Sequence, residues 1–491
     1  MTSLRFVGLL VAAVTVIGCQ DSDTEGVAAN TEITQPPDAS TTSSPTPVPS
    51  GDVVTSTTVA EGAPDQQRCV SPTPDSEYTL EVWHSLGNDS AIKLLDLTDR
   101  FNALDTGVTI ELESPGNYDQ TVQALAAAAP EDRPDIVLVD HKSTRTFADS
   151  GVFVGPRECD SEALADLLPV IEATYTLDGD LLATPYNVST PVLMFDAAVV
   201  ARAGLDPAAP PRTLDELSAA SEAVVTSGAA AHGFVAYDGY GPWFITQYSS
   251  RRGHVSAVPD NGRRGAGIAS VDFATSEVTE DFAWLLDEVE SGRALWIGGN
   301  PSGFDDLVRL SDQTDGAAFT ISTSGAVGDV LRLIASGSSP GSVLGVAPMP
   351  GPGSGALVGG GAFWMVDSGD AERIGAGYAY LEWLAAAPQH AEFAGYTGFS
   401  PIRVSELREP VLVEAWAANP GLRVSFDQLA DLPGDEVRAG PAWGVGSDIN
   451  RVMYETMTEV IETGDVTGSL DRATTEVNAL LDVYNSANPP D

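Results

Sequence analysis

One short string in this 491-residue chain has the spacing of a hydrolase nucleophile. Residues 337–341 read G-S-S-P-G and fit the pattern G-x-S-x-G, in which Ser339 would attack a carbonyl carbon. Such a nucleophile needs a strand before the serine and a helix after it. Here the preceding residues, 330–335, have a helical pattern, and Pro340 follows the serine directly. The string therefore favours a surface loop, with a secreted serine hydrolase as the alternative.

Other catalytic patterns are missing from the sequence. There is no G-x-x-x-x-G-K-[ST] string and no G-x-G-x-x-G after a strand, so a nucleotide cofactor is not expected. The five histidines are not spaced as ligands of a conventional zinc site. We therefore expect no metal, no cofactor and no enzymatic activity. The histidines are His84, His141, His232, His254 and His390.

The charge balance excludes several classes of partner. The chain has 24 Lys and Arg residues against 70 Asp and Glu residues, a formal net charge of −46. Binding to nucleic acid or to an anionic membrane surface requires a basic patch. We expect neither. Because hydrophobic residues make up 43% of the chain, it can bury a core and is not disordered throughout.

The N-terminus has the pattern of a lipoprotein signal. Arg5 precedes an apolar run, 6–17, that is too short to span a bilayer but fits a secretory signal. The run ends in Val-Ile-Gly-Cys, which resembles the bacterial lipobox, so residues 1–18 are the predicted signal and Cys19 the acylated residue. An ordinary signal peptide is the alternative. A lipid on Cys19 would hold the protein on the outer face of the cell membrane.

A polar segment follows the lipobox. Residues 19–76 are rich in Thr, Ser, Pro and Asp and predict a disordered tether. In an oxidising compartment the two remaining cysteines, Cys69 and Cys159, can form a disulfide. We expect this bond, with two buried free thiols as the alternative.

The elements after residue 77 alternate in the manner of an α/β fold. Strands are predicted at 79–85, 108–112 and 135–140, and helices at 90–104 and 118–129. The string DIVLVD at 135–140 is nearly continuous in apolar residues, as in a strand buried on both faces of a parallel sheet. Ligands bind such sheets at the carboxyl ends of the strands. Trp83, His84, Asp140 and His141 lie at that edge.

A series of strings, in order, resembles the solute-binding proteins of bacterial ABC importers. The resemblance is to the maltose-binding type, family 1, and within it to the branch that binds glycerol-3-phosphate and glycerophosphodiesters. It covers about residues 78–402. The strings are VWHS at 82–85, DRFNA at 99–103, GNY at 116–118, YNVSTPVL at 186–193, AGLDP at 203–207, GGGAFW at 359–364 and TGFSPI at 397–402.

This resemblance implies an α/β fold of the type II periplasmic-binding-protein kind, with two lobes, a ligand cleft between them and crossing strands that join them. Residues 183–195 would form the first crossing, residues 317–324 the return, and the Gly-rich run before Val366 would lead to the third. The first lobe would comprise residues 77–187 and 322–366. The second would comprise residues 188–321 and 367–491.

The resemblance also implies ligand-contacting residues. Tyr118 and Ser189 match a tyrosine and a hydroxyl that contact the ligand in the family. Thr323 lies where the family has a serine. Gly360 matches a glycine whose backbone N–H approaches the ligand, which a Cβ would block.

Other positions depart from the family pattern. His141 lies where the family has an acid for glycerol hydroxyls, and Phe399 replaces a tyrosine. Ala442 lies where the family has an arginine that contacts phosphate, and Arg438 or Arg451 would supply the cation if the alignment is shifted there. Loss of that cation matters because phosphate binding favours a charged donor. The solute is therefore open among a sugar, a polyol and a glycerol-phosphate compound.

Aromatic side chains are further candidates for the cleft, because sugar C–H faces stack on rings. Core packing is the alternative for each of them. Two lie in the loop-like string YDGYGPW at 237–243, which favours the cleft. The candidates are Trp83, Tyr118, Tyr240, Trp243, Phe399 and Trp443.

These observations together predict a monomeric, lipid-anchored, extracytoplasmic protein that binds a small carbohydrate-like solute and delivers it to an ABC permease. A surface lipoprotein that binds a protein partner is the alternative from another class.

Overall fold

The computed structural model describes residues 68–489, apart from 74, 160–164, 301–302, 311 and 313–314. The predicted signal, Cys19 and most of the expected tether lie outside the described residues. The tether was expected to extend to residue 76, but ordered contacts begin earlier. Cys69 is buried and joined to Cys159 in a disulfide with a Cα–Cα distance of 5.2 Å. The backbone N–H of Val70 donates to the carbonyl oxygen of Ala371 at 2.9 Å.

The strands form two larger sheets and one hairpin. In chain order they are β1 (Tyr78–His84), β2 (Val108–Glu113), β3 (Ile136–Asp140), β4 (Phe153–Val154), β5 (Thr176–Leu177), β6 (Asp180–Leu181), β7 (Thr184–Ser189), β8 (Pro191–Asp196), β9 (His232–Ala236), β10 (Ala294–Trp296), β11 (Ala317–Thr323), β12 (Leu344–Pro348) and β13 (Gly359–Val366).

The helices cover these sheets. In chain order they are α1 (Asn88–Asn102), α2 (Tyr118–Ala127), α3 (Thr144–Ser150), α4 (Pro169–Thr174), α5 (Ala197–Arg202), α6 (Leu214–Ser227), α7 (Tyr240–Arg251), α8 (Ser276–Glu290), α9 (Asp305–Leu310), α10 (Val327–Ala335), α11 (Ala371–Ala385), α12 (Ala387–Thr397), α13 (Pro410–Ala418), α14 (Val424–Leu429), α15 (Glu436–Ala439), α16 (Gly446–Thr463) and α17 (Val466–Ala487).

The first sheet has the strand order β2-β1-β3-β13-β4, and β7 also pairs with β13. β1 runs parallel to β2 and β3, whereas β13 runs antiparallel to β3. All five residues of β3 are buried, as its apolar run predicts for a strand covered on both faces. Leu80 and Val82 of β1 belong to the same buried cluster as Phe101 of α1 and Leu381 of α11.

The second sheet has the strand order β10-β9-β11-β8-β12. β9 runs parallel to β10 and β11, and β8 runs antiparallel to β11 and β12. One face is covered by α6, α7, α8, α16 and α17, which share a large buried cluster with Phe234 and Phe319. The other face carries Val192 and Met194, which are clustered with Val327 of α10.

The chain passes between the two sheets more than once, so each lobe is discontinuous in sequence. It leaves the first sheet between Ser189 and Pro191 and returns between Pro348 and Gly359. The expected return crossing at 317–324 is wrong, because β11 is an inner strand of the second sheet and the chain stays with that sheet through β12.

The packing also differs from the expected lobe boundaries. Residues 327–348 were expected in the first lobe. β12 instead pairs with β8 of the second sheet, and α10 packs on that sheet through Val327 while it also contacts α1 and α12 of the first lobe. Residues 371–397, expected in the second lobe, are α11 and α12 and pack against the first sheet through Ile374 and Phe393.

A surface ion-pair cluster links the two lobes. Arg332 of α10 donates to Asp89 of α1, to Asp329 at 3.0 Å and to the carbonyl oxygen of Tyr396 at 2.7 Å. Its guanidinium group also lies 4.1 Å from the centre of the Tyr396 ring, which belongs to α12. Burial and the neighbouring Asp89 raise the pKa of Asp329 to about 6. The cluster therefore holds two carboxylates around one cation.

Among the described helices, none combines the length and apolar character that crossing a bilayer requires.

Candidate functional site

A cavity of about 280 Å³ lies where the two sheets meet. Both lobes and the chain crossings contribute to its wall, as expected for a cleft between lobes. The residues on the wall are Tyr118, Asp140, His141, Lys142, Ser189, Thr190, Pro191, Tyr237, Gly239, Pro242, Trp243, Thr246, Gln247, Thr323, Leu357, Val358, Gly359, Gly360, Ala439, Gly440, Pro441, Trp443, Asn450 and Tyr454.

The first lobe presents the carboxyl end of β3 to this cavity. Asp140 ends the strand, and His141 and Lys142 follow it. Tyr118 is the first residue of α2, whose start is fixed by a capping box. The side chain of Asn117 accepts from the backbone of Gln120 at 3.0 Å, and the Gln120 side chain accepts from the backbone of Asn117 at 2.9 Å. The expectation that ligands bind at the carboxyl ends of the strands thus located this part of the wall.

Charge is neutralised within the wall. The Lys142 ammonium nitrogen lies 2.8 Å from Oδ2 of Asp140, and both side chains are mostly buried. Burial alone would lower the pKa of Lys142, but the attraction of Asp140 outweighs it and the pKa is raised. Burial lowers the pKa of His141, whose Nδ1 lies 3.4 Å from the carbonyl oxygen of Gly360. His141 is therefore neutral at pH 7 and does not replace a missing cation.

The Tyr118 hydroxyl is oriented by a buried amide. Nδ2 of Asn187 donates to the Tyr118 oxygen at 2.6 Å. Because the oxygen accepts this bond, its own proton remains available to an acceptor in the cavity. Burial raises the pKa of Tyr118 far above its usual range, so the hydroxyl stays protonated.

A distortion in β13 lies beside this pair. The register between β13 and β7 shifts between Gly360 and Ala362. Gly360 has a φ of +79°, and a Cβ there would lie 1.8 Å from the carbonyl oxygen of Asn187. Only glycine fits this position, so the backbone itself forms that part of the wall.

The second lobe contributes aromatic and hydroxyl groups. Trp243 and Tyr237 lie on the wall with their rings 6.0 Å apart, and Trp443 and Tyr454 come from the segment that leads into α16 and from α16 itself. The string YDGYGPW was expected to be a loop, but α7 begins within it at Tyr240. Proline is tolerated there because the first turn of a helix has no N–H partner to lose.

Three aromatic candidates lie outside this cavity wall. Tyr240 is fully buried: its hydroxyl donates to the carbonyl oxygen of Val235 at 2.8 Å and accepts from the backbone of Ile321 at 2.9 Å. Trp83 packs in the first lobe beside α2. Phe399 stacks on Phe393 with ring centres 5.6 Å apart. Core packing, the alternative reading, describes their positions. The remaining candidates on the wall are Tyr118, His141, Ser189, Thr323, Gly360, Trp243 and Trp443.

The positions considered for a phosphate-binding cation lie elsewhere. Ala442 is buried, and its N–H donates to the carbonyl oxygen of Asn261 at 2.8 Å. Arg438 is outside the wall and donates to the carbonyl oxygen of Ser354 at 3.3 Å. Arg451 binds Glu455 at 2.8 Å and is also outside the wall. Within the described residues, no arginine lines this cavity.

Ser339 does not occupy a nucleophile turn. It lies in a turn shortly after α10, so a helix and not a strand precedes it. The G-x-S-x-G string thus lacks the strand–turn–helix context of a hydrolase.

Several wall residues were not predicted. Asn450 and Tyr454 are four residues apart on α16 and therefore lie on one face of that helix. Tyr237 lies in the same aromatic string as Trp243, and Thr190 adjoins Ser189. Among these residues, only Asn450 and Tyr454 have a signal in the sequence, which is their helical spacing.

Comparisons with known proteins agree with this architecture. The family described as bacterial extracellular solute-binding protein matches residues 96–423, more than half of the chain. The sn-glycerol-3-phosphate-binding periplasmic protein UgpB of Salmonella typhimurium is 25% identical over 421 residues, which cover 84% of this chain and 94% of that protein.

Solved structures share the fold. UgpB from Mycobacterium tuberculosis, in complex with glycerophosphocholine, superposes with a TM-score of 0.66 at 20% identity and covers 83% of this chain and 99% of that one. The cyclic α-maltosyl-1,6-maltose binding protein from Arthrobacter globiformis has a TM-score of 0.65 at 21% identity, with coverage of 83% and 100%. The fold is therefore the expected two-lobed α/β fold of periplasmic solute-binding proteins, and this chain belongs to the family of bacterial extracellular solute-binding proteins.

Proposed function

We propose that this protein binds a small neutral carbohydrate, a sugar or polyol, outside the cytoplasm and delivers it to the membrane permease of an ABC importer. The observation that carries the proposal is the composition of the cavity wall. Hydroxyl, amide and aromatic groups from both lobes line it, and its one ammonium group is bound to a carboxylate. Hydroxyl and amide groups match the donors and acceptors of a polyol.

A phosphate monoester fits this wall less well. A dianion needs an unpaired cation or several backbone donors to replace its water. Lys142 is bound to Asp140, and His141 is neutral at pH 7. Although relatives are named for glycerol-3-phosphate, the electrostatics of this wall favour an uncharged solute.

The size of the cavity supports a small solute. A volume of about 280 Å³ lies near the lower end of the range for small-molecule sites, roughly 300–1,000 Å³. Trp243 offers a ring to the C–H face of a sugar, while Tyr118 offers a hydroxyl proton to its oxygen atoms. A mono- or disaccharide, or a linear polyol, matches both.

The test is a thermal-shift and calorimetry panel on the purified protein. It holds monosaccharides, disaccharides, polyols, glycerol-3-phosphate and glycerophosphocholine. At 100 times its Kd, a ligand adds roughly 2.7 kcal/mol to the free energy of unfolding, which a thermal shift resolves. We expect a shift with a neutral member. A shift with only the phosphate compounds, or silence across the panel, would contradict the proposal, and silence would favour the protein-partner alternative.

A matched pair of variants localises binding to the cavity. Trp243→Ala removes a wall residue, and we expect about 10–150-fold weaker binding, since roughly 1.5–3 kcal/mol of apolar contact is lost. Trp296→Ala is the control, because Trp296 is also half-buried against the core of the second lobe but lies outside the wall. Equal losses in the two variants would contradict this location.

We further propose that a lipid on Cys19 anchors a monomer to the cell membrane. The lipobox pattern and the polar segment after it support this part. Cys19→Ser should release the protein from the membrane fraction, and light scattering should report one chain per particle. Retention of the variant on the membrane, or a dimer, would contradict it.

A further inference from the structure

A second and larger cavity, of about 440 Å³, lies apart from the solute cleft. It is lined mainly by α9, α10 and the adjoining ends of β8 and β12 in the second lobe, and the start of α1 lines it from the first lobe. No residue lines both cavities. The second cavity is therefore a separate feature, and its volume lies within the roughly 300–1,000 Å³ of small-molecule sites.

The wall of this cavity is apolar and reaches the surface. Ile92, Val308, Leu333 and Val343 line it, and each remains 47–59% exposed. Phe195, among other apolar side chains, continues the wall inward. The chain has 70 acidic residues that could cover its surface. Exposed apolar side chains that are grouped around one opening therefore indicate a binding site.

The charges on this wall are all negative among the described residues. Asp89, Asp196 and Asp329 line the cavity, and no described lysine, arginine or histidine does. Arg332 lies nearby, but it bonds to two of these carboxylates and packs its guanidinium group on Tyr396. Arg332 carries one positive charge and the two aspartates carry two negative charges, so the opening of the cavity keeps a net negative charge. Asp196 adds a third carboxylate, which caps α5.

We propose that this cavity binds a small amphipathic cation, with an apolar body against Leu333 and Phe195 and an ammonium group beside Asp89 and Asp329. Charge complementarity selects this occupant. A net charge of −46 disfavours a second copy of the chain, and the same carboxylates repel a fatty acid or an anionic lipid. The inference is independent of the solute in the cleft.

The experiment uses calorimetry on the full-length chain carrying Cys19→Ser, which removes the acylation site. The probes are decyltrimethylammonium and decanoate, both below their micelle concentrations. We expect saturable 1:1 binding of the cation, and decanoate binding at least about fivefold weaker, the equivalent of about 1 kcal/mol. Equal binding of both probes, or no binding of the cation, would overturn the proposal.

Three variants locate the site. Leu333→Gln should weaken binding of the cation by about tenfold, because the apolar contact of one leucine is worth at least about 1.5 kcal/mol. Val483→Gln is the control, since Val483 is an exposed apolar residue on α17 outside this wall. Asp329→Asn should weaken the cation and leave decanoate unchanged or slightly stronger. Unchanged binding in Leu333→Gln, with its melting temperature preserved, would overturn the proposal.

Discussion

Replacing Asp140 by asparagine should allow the cleft, which we propose to bind a neutral solute, to bind an anion as well. In the wild-type protein the Asp140 carboxylate holds the Lys142 ammonium group at 2.8 Å, on the cavity wall. Asparagine keeps the size and polarity of the side chain but removes its charge. Lys142 then faces the cavity without its bound carboxylate, with Asp119 as the remaining acidic group that acts on it, and a phosphate group gains the attraction of the ammonium group.

The size of the gain follows from Coulomb's law. Two unit charges about 5 Å apart interact by about 3 kcal/mol at an effective dielectric constant of about 20. A well-solvated pair gains only about 1 kcal/mol. The Lys142 side chain is 17% exposed, so its environment lies between these limits. We therefore expect Asp140→Asn to bind glycerol-3-phosphate about 5–150-fold more tightly than the wild type.

The gain should also depend on pH. Without Asp140, burial is opposed only by the weaker influence of Tyr454 and Asp119, so the pKa of Lys142 falls. The gain should then be present near pH 7 and decrease as the pH rises and the ammonium group loses its proton. Affinity for a neutral polyol should change less over the same range.

Isothermal titration calorimetry measures these affinities, and Asp135→Asn is the matched control. Asp135 lies just before β3, whereas Asp140 ends that strand, and Asp135 holds Arg373 at 2.6 Å outside the cavity wall. The reasoning is refuted if the wild type binds glycerol-3-phosphate as tightly as Asp140→Asn does. It is also refuted if Asp135→Asn produces the same gain.

Three further predictions concern stability. Removing the Cys69–Cys159 disulfide, which closes a loop with a sequence separation of 90, should lower the free energy of unfolding by about 4–5 kcal/mol in the chain-entropy account. Chemical denaturation of single and double Cys→Ala variants tests this, and the double variant should lose no more than either single one. Asp329, with a pKa raised to about 6, binds its proton more tightly when folded, so the wild type should gain stability relative to Asp329→Asn as the pH falls from 7 to 5. Tyr118→Phe leaves the buried amide of Asn187 without its acceptor, which should cost about 1–3 kcal/mol in urea unfolding.

The sequence predicted those parts of the site that depend on local pattern. The apolar run of β3 identified a buried strand. Of the four residues predicted at the carboxyl ends of the strands, Asp140 and His141 line the cavity, whereas Trp83 and His84 do not. Family strings located Tyr118, Ser189 and Gly360 on the same wall. In each case a short segment of sequence determines both its own backbone conformation and which of its residues face the cavity.

Other features depend on contacts distant in sequence and were missed for that reason. Tyr237 and Tyr240 lie in one string, but the start of α7 turns the first toward the cavity and the second into the core. The expected lobe boundaries differ from the structure for the same reason. The sequence of α11 indicates an apolar face but not which sheet that face covers, because this depends on the pairing of β13 with β3.

The position of β13 determines the order in which the two sheets can be completed on the ribosome. β13 lies between β3 and β4, yet it is synthesised after every strand of the second sheet. The first sheet is thus completed only after every strand of the second, and until residue 366 emerges, β3 keeps an open edge of unpaired backbone groups beside the apolar side chains of residues 136–139. Such an edge invites pairing with other chains. Chains stalled before Gly359 should stay sensitive to protease in the first lobe, and chains extended beyond Thr397 should gain protection there. Protection before β13 has emerged would contradict this order.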